Sequence, residues 1–173
     1  MVTVRPSTQT EIIEFAGMRF LITDTPNEVT IMRYVQNLQR CNVSLLVGIC
    51  EVHYDTEPFK AADINVKSLN FAEGTDPDER LKKQWFRILH ENMTENPDTC
   101  VAVHCNSGLG RAAVLVAIAL IELGMSYDVA VAVIRSKRRG AINNAQYEYL
   151  RQYQPELNLV QRKTGSSSSC ALQ

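Results

Sequence analysis

The sequence is short of several things, and each shortage removes a class of function. Its 173 residues carry almost no net charge, −1 at pH 7 from 18 basic and 19 acidic side chains, so there is no electrostatic footprint for nucleic acid. No apolar run crosses a bilayer, because the longest stops at Glu122, short of the roughly 20 residues a spanning helix needs. Residues Met1 to Thr10 hold no apolar core of a secretion signal, which predicts a chain made and kept in the cytosol. The five cysteines, Cys41, Cys50, Cys100, Cys105 and Cys170, are odd in number and lack close pairing, which argues against a disulfide framework. Cys-x2-Cys and paired-histidine motifs are absent, so no metal is predicted. What remains is one domain with an adequate core and no cofactor.

What is present concentrates in Val103-His104-Cys105-Asn106-Ser107-Gly108-Leu109-Gly110-Arg111. A strand-like run leads in, and Ala112 to Ile121, apolar on every side, leads out as a buried helix. Five residues separate Cys105 from Arg111. That is short enough for the backbone of Asn106, Ser107, Gly108, Leu109 and Gly110 to curl its N–H groups around one tetrahedral anion, with Arg111 closing the ring. A thiol attacks only as thiolate, the form that a helix N-terminus, inward N–H donors and a nearby arginine all favour. Gly108 and Gly110 supply backbone shapes that a side chain would obstruct. The stretch predicts a phosphate cradle with Cys105 at its floor. The competing reading is a strand ending in a buried cysteine ahead of an ordinary core helix.

Around this stretch, Glu11 to Phe15 and Met18 to Thr23 read as strands about an Ala16-Gly17 turn. Val29, Ile31, Met32, Tyr34, Val35 and Leu38 suit an amphipathic helix ending near Arg40. Val43 to Ile49, Ile64 to Leu69 and Cys100 to His104 read as further strands. Helices are predicted from Pro77, capped by Asp76, to about Met93, from Ser126 through Ile134, and from Asn143 through Leu150. Strands alternating with helices predict an α/β fold whose central, mostly parallel sheet is flanked by helices, with Cys105 at the carboxyl end of a strand where ligands bind. The expected organisation is a flexible N-terminus over 1–10, the folded domain over 11–157 and a flexible tail over 158–173.

Cys-x5-Arg is the signature of the cysteine-dependent protein tyrosine phosphatases. The whole chain resembles their prenylated PRL, or type IVA, branch in Met18 to Thr23, in Cys50-Glu51 with Tyr54-Asp55, in His104 to Ala112, in Lys137-Arg138-Arg139-Gly140-Ala141 and in the ending Cys170-Ala171-Leu172-Gln173. The resemblance implies a dual-specificity-type phosphatase fold and hydrolysis of phosphoprotein monoesters through a phosphocysteine on Cys105, without a metal. Family members carry Trp-Pro-Phe-Asp-Asp-Gly where this chain has Leu69-Asn70-Phe71-Ala72-Glu73-Gly74, which puts Glu73 at the general acid's position. One extra methylene shifts that carboxyl, and misplacement on this scale can cost roughly a hundredfold in rate. Asp76 and Asp78 are nearby carboxylates that read first as helix caps. Ala112 stands where most tyrosine phosphatases place a hydroxyl that helps the phosphoryl group leave sulfur, so slow turnover is expected.

Cys50 matches the branch's resolving cysteine, which forms a reversible disulfide with the catalytic one; the plain alternative is a buried strand-end cysteine. Cys41 and Cys100 read as core or surface cysteines. After Pro155 the periodicity is lost, and the run Thr164 to Ser169 leads to Cys170-Ala171-Leu172-Gln173, a prenylation signal in which glutamine favours farnesyl. One prenyl chain anchors only reversibly. Arg162 and Lys163 add little charge, and Lys137-Arg138-Arg139 is either an electrostatic supplement or a solvated helix end. The expected location is therefore cytoplasmic with reversible membrane association at plasma membrane or endosomes, and nuclear when unprenylated. The rival reading is a binding module for CBS-domain magnesium transporters, another partner the resemblance implies. A phosphoinositide phosphatase fits less well, since the cradle has no lysine, and a sulfur-transfer enzyme fits least.

Overall fold

The computed structural model describes residues 11–160. The expected flexible N-terminus over 1–10 and, of the expected tail over 158–173, the part from Gln161 on with Cys170 lie outside the described residues, whereas Asn158 and Leu159 pack onto the domain. Five strands, β1 (Ile13–Phe15), β2 (Met18–Thr23), β3 (Val43–Gly48), β4 (Asn65–Ser68) and β5 (Cys100–His104), form one sheet in the order β1-β2-β5-β3-β4. All neighbours run parallel except β1, which turns back on β2 through Ala16 and Gly17, at φ 49° and 81°. Six helices accompany the sheet among the described residues: α1 (Ile31–Arg40), α2 (Glu57–Ala61), α3 (Glu79–Glu95), α4 (Arg111–Glu122), α5 (Tyr127–Lys137) and α6 (Asn144–Gln152).

The period of two along the central strands sorts the core into two layers. Leu45 and Val47 of β3 and Val101 and Val103 of β5 pack with α3 and α4, whereas Leu46, Cys100 and Ala102 pack with Ile31, Val35, Leu38 and Phe59 of α1 and α2. Continued one step past β5, the alternation delivers Cys105 to the α4 layer. Every residue of α4 from Ala112 to Glu122 is buried, as its all-round apolar sequence predicts. Trp85 pins α3 onto it, its indole N–H donating to the Leu115 carbonyl at 3.0 Å. Cys41 and Cys100 are core thiols, and burial pushes Cys100 up to about 12.

Three local expectations shift. Asp78, rather than Asp76, caps α3, accepting from Leu81 N–H at 2.8 Å. Proline suits either the first helical position or the residue before the cap, and here Pro77 takes the second, which leaves Asp76 outside the helix. Val29 precedes α1 and is 94% exposed, so it does not join the apolar face expected of it. The five-residue α2 went unpredicted because it is too short to show a period.

Glu122, fully buried at the end of α4, gathers the chain's last described stretch. Its carboxylate accepts from Tyr153 O–H at 2.5 Å, Asn158 N–H at 2.6 Å and Glu156 N–H at 3.3 Å. Leu159 follows into the core. Replacing Glu122 by alanine strands these three donors, so Glu122→Ala should lower the unfolding free energy in urea by at least about 3 kcal/mol, since each donor left unsatisfied costs about 1–3 kcal/mol. A loss below about 0.5 kcal/mol, the range of ordinary surface changes, would contradict that role.

Candidate active site

The loop between β5 and α4 is shaped by what holds its carbonyls. Thr25 donates its hydroxyl to the Cys105 carbonyl at 3.0 Å, Arg138 donates to the Ser107 carbonyl at 2.9 Å, and Ile142 N–H donates to the Leu109 carbonyl at 2.8 Å. A trans peptide points its N–H opposite its C=O, and no cis bond occurs among the described residues. Three alternate carbonyls drawn outward therefore turn the N–H groups of Asn106, Gly108 and Gly110 the other way, towards the centre of the loop. Gly108 is required twice over. Its φ is +66°, and an added Cβ would lie 2.6 Å from the Thr23 carbonyl oxygen and 2.7 Å from Arg138 Nη2.

Cys105 is 3% exposed, and its sulfur accepts from the N–H of Ala112 in the first turn of α4 at 3.5 Å. A cavity of about 370 Å³ opens above it, lined by Glu73, Gly74, Thr75, Asp76, Cys105, Asn106, Ser107, Gly110 and Arg111, with Asn143, Ala145 and Gln146 from the start of α6. The structure thus brings Cys105, Arg111 and Glu73 to one cavity. Gly108 and Leu109 lie outside its lining, Gly108 against the Thr23 carbonyl and Leu109 against the core. Arg111 reaches across to donate from Nη1 to the Phe71 carbonyl at 2.7 Å, which ties it to the loop carrying Glu73. Asp76, displaced from its expected capping role, is a second carboxylate in the cavity.

Behind the loop lies a buried polar chain. His104 is fully buried with Nε2 at 2.6 Å from the Tyr54 hydroxyl and Nδ1 at 3.1 Å from Thr25 Oγ1. A carbonyl can only accept, so Thr25 spends its proton on Cys105; its oxygen then accepts from Nδ1–H, and Nε2 accepts from Tyr54 O–H. The imidazole is neutral in this scheme, and burial pushes its pKa down to about 4. Burial likewise raises Tyr54, keeping its proton in place to donate. Gly48 makes room for the ring, since a Cβ there would come within 2.9 Å of Nε2. Cys50 sits on the same chain, with its sulfur 3.8 Å from Thr25 Oγ1 and 3.9 Å from His104 Nδ1, and its thiol is free and buried. Thr25 is accordingly the group that touches both Cys50 and the Cys105 backbone.

Arg138 was open to a solvated reading, and it is turned inward instead, bridging the Asp24 carboxylate at 2.6 Å and the Ser107 carbonyl. Thr25, Asp24 and Arg138 escape sequence reasoning because their partners are distant in the chain: Thr25 meets Cys105 from 80 positions away, Arg138 meets Ser107 from 31, and Asp24 meets Arg138 from 114. Asn143 was read only as a cap, which it is, in a capping box with Gln146; that both also line the cavity follows from tertiary packing.

Residues 10–158 match the model of the "Swiss Army Knife protein, DSP-PTPase phosphatase domain" family. The chain is 48% identical over 162 residues to the fruit fly (Drosophila melanogaster) PRL-1 phosphatase, covering 94% of this chain and 92% of that one. It is 42% identical over 161 residues to mouse (Mus musculus) protein tyrosine phosphatase type IVA 2, covering 93% and 95%. Among solved structures, a protein tyrosine phosphatase from Leishmania major superposes with a TM-score of 0.70 at 36% identity, covering 80% of this chain and 89% of that one.

The neutral His104 carries a pH signature. In the unfolded chain its imidazole protonates near 6.5, whereas in the folded chain it resists until about 4. Between these values the unfolded state binds more protons, so its contribution is full above pH 6.5 and is lost as pH falls towards 4, by about 3 kcal/mol in all. Imidazole 15N NMR should show the Nδ1–H tautomer with a midpoint close to 4, and a midpoint near 6.5 would overturn the assignment.

Proposed function

Because the chain belongs to the PRL, or type IVA, family of protein tyrosine phosphatases and is itself a tyrosine phosphatase, we propose that Cys105 is its nucleophile, Arg111 its phosphate clamp and Glu73 its general acid. The observation that carries this reading is the position of the Cys105 sulfur, at the first turn of α4 on the floor of the one cavity that Arg111 and Glu73 also line. In the first step the thiolate attacks phosphorus, the bond to the leaving oxygen breaks, and Glu73 gives that oxygen its proton. In the second, water attacks phosphorus, the sulfur–phosphorus bond breaks, and Glu73 takes the proton. The inward N–H groups of the loop from Asn106 to Gly110, with Arg111, hold the three equatorial oxygens throughout.

Turnover is slow in this account for two reasons. Glu73 is exposed on its loop, and its longer side chain is harder to hold in line. Ala112, fully buried beside the sulfur, offers no hydroxyl to the departing thiolate. Cys50 serves as resolving thiol, protecting Cys105 from irreversible oxidation by forming a reversible disulfide. Farnesyl on Cys170 gives reversible attachment to plasma membrane or endosomes, the unprenylated form being cytoplasmic and nuclear. The domain read over 11–157 extends by packing through Leu159, with the tail beyond it. A second reading, favoured by the exposed Glu73 and the missing hydroxyl at 112, makes the site chiefly a docking face for CBS-domain magnesium transporters.

Two variants separate these readings. Glu73→Gln should slow phosphorylation of the enzyme by an alkyl or phenyl phosphate by tenfold or more, general acid catalysis being worth about 10²–10⁴, while leaving a substrate with an acidic leaving group nearly unaffected. Ala112→Ser should speed the steady state instead. Equal rates in wild type and Glu73→Gln for both leaving groups would remove Glu73 from the mechanism and favour the docking reading.

A further inference from the structure

We propose that the outward face of α3 is a second membrane contact, with Arg80, Lys83 and Arg87 resting on an anionic lipid surface. The proposal builds on the reading of Cys170 as a farnesyl anchor, which a single prenyl chain leaves reversible. Leu81, Trp85, Ile88 and Leu89 bury the inner face of α3. The remaining line, Arg80, Lys83, Arg87 and His90, points outward, and all four are exposed at the spacing that puts side chains on one helix face.

Local acids do not cancel this stripe. Glu79 is held by Lys82, and Glu91 is shared between Lys67 at 3.1 Å and Arg87 at 4.0 Å. Arg80 and Lys83 make no ion pair among the described residues. Glu156 borders the stripe at Lys83 without pairing to it. In a chain of net charge −1, this face is a concentrated positive surface.

Its place in the fold identifies the occupant. At the far end of the line, His90 Nε2 donates to the Asn158 carbonyl at 2.7 Å. Leu159 is buried beside it and Val160 is the last described residue. The chain therefore leaves the domain at the end of the stripe. Cys170 follows ten positions later, and ten residues reach no more than about 35 Å even when extended. Arg80 and His90 are only about 15 Å apart along the helix axis. Whatever path the tail takes, a lipid on Cys170 holds the bilayer within reach of these charges, and Arg162 and Lys163 lie between the two.

The test uses the full chain, farnesylated in vitro, with the position of the lipid verified by mass spectrometry. Wild type and Arg80→Gln/Lys83→Gln/Arg87→Gln are compared on vesicles of phosphatidylcholine alone and of phosphatidylcholine with phosphatidylserine. Each basic residue near an anionic surface contributes about fivefold, so the triple variant should bind the anionic vesicles about a hundredfold more weakly. It should match wild type on neutral vesicles and at high salt, where the charges are screened. Unchanged phosphatase activity and unfolding midpoint show that the variant is folded, and Lys83→Gln alone should give an intermediate loss. Equal binding of both proteins to anionic vesicles overturns the proposal, and is the result expected if the stripe serves an acidic protein instead. Failure of Cys170 to accept farnesyl is a different result, visible before any vesicle is added, and it removes the anchor reading and the proposal with it.

Discussion

The outward tethering of three carbonyls in one short loop is the constraint on which the rest of the structure depends. Left to itself, a run of five residues between a strand and a helix has no reason to aim alternate N–H groups at a common point. Here Thr25, Arg138 and Ile142 each hold one carbonyl from outside, and peptide planarity does the rest. The buried imidazole of His104 carries the first of these contacts back to Tyr54, so a core hydrogen-bond chain ends at the backbone of Cys105. Asp24 steadies the second by holding Arg138. The proposed anion site is thus made of backbone, and the side chains that shape it mostly hold its carbonyls from outside.

The layers of the fold serve that loop. Parallel β2, β5 and β3 put the carboxyl ends of the strands on one edge, and the period of two sends Val101, Val103 and Cys105 to the side where α4 lies. A helix buried all round is a rigid base, and its first turn offers the Cys105 sulfur a backbone N–H. His104, one residue earlier, must face the opposite layer, which is where Tyr54 and the Cys50 thiol wait. One strand thereby separates the sulfur expected to react from the thiol expected to rescue it, with Thr25 in contact with both sides.

Features written in contiguous residues were legible from the sequence. Cys-x5-Arg, the glycines, the apolar run of α4 and the N-cap positions of Ser126 and Asn143 all appear where the sequence places them, although of the two caps only the Asn143 side chain accepts a capping hydrogen bond. What could not be read is what depends on distant partners. Nothing in Lys137-Arg138-Arg139 says that the middle arginine turns in to a carbonyl 31 positions earlier, and nothing near Thr25 says that it meets Cys105. The start of α3 was misplaced by two residues, because an aspartate on either side of Pro77 can cap and only packing decides between them. That small shift has a consequence, since it leaves Asp76 beside Glu73 in the cavity.

The proposed chemistry is that of an ordinary phosphate cradle with a weakened entry and exit: a glutamate on an exposed loop as the proposed proton donor, and a methyl group at Ala112 where the proposed thiolate would depart. Such a site should form its covalent intermediate and then keep it. The direct measurement is a single turnover with an aryl phosphate, quenched at intervals and followed by intact-protein and peptide mass spectrometry under reducing conditions. The account predicts a phosphoryl group that accumulates on the peptide containing Cys105, reaches near-stoichiometric levels and decays more slowly than it forms. Release of phosphate with no adduct on that peptide, or with the phosphoryl group on another residue, would contradict it.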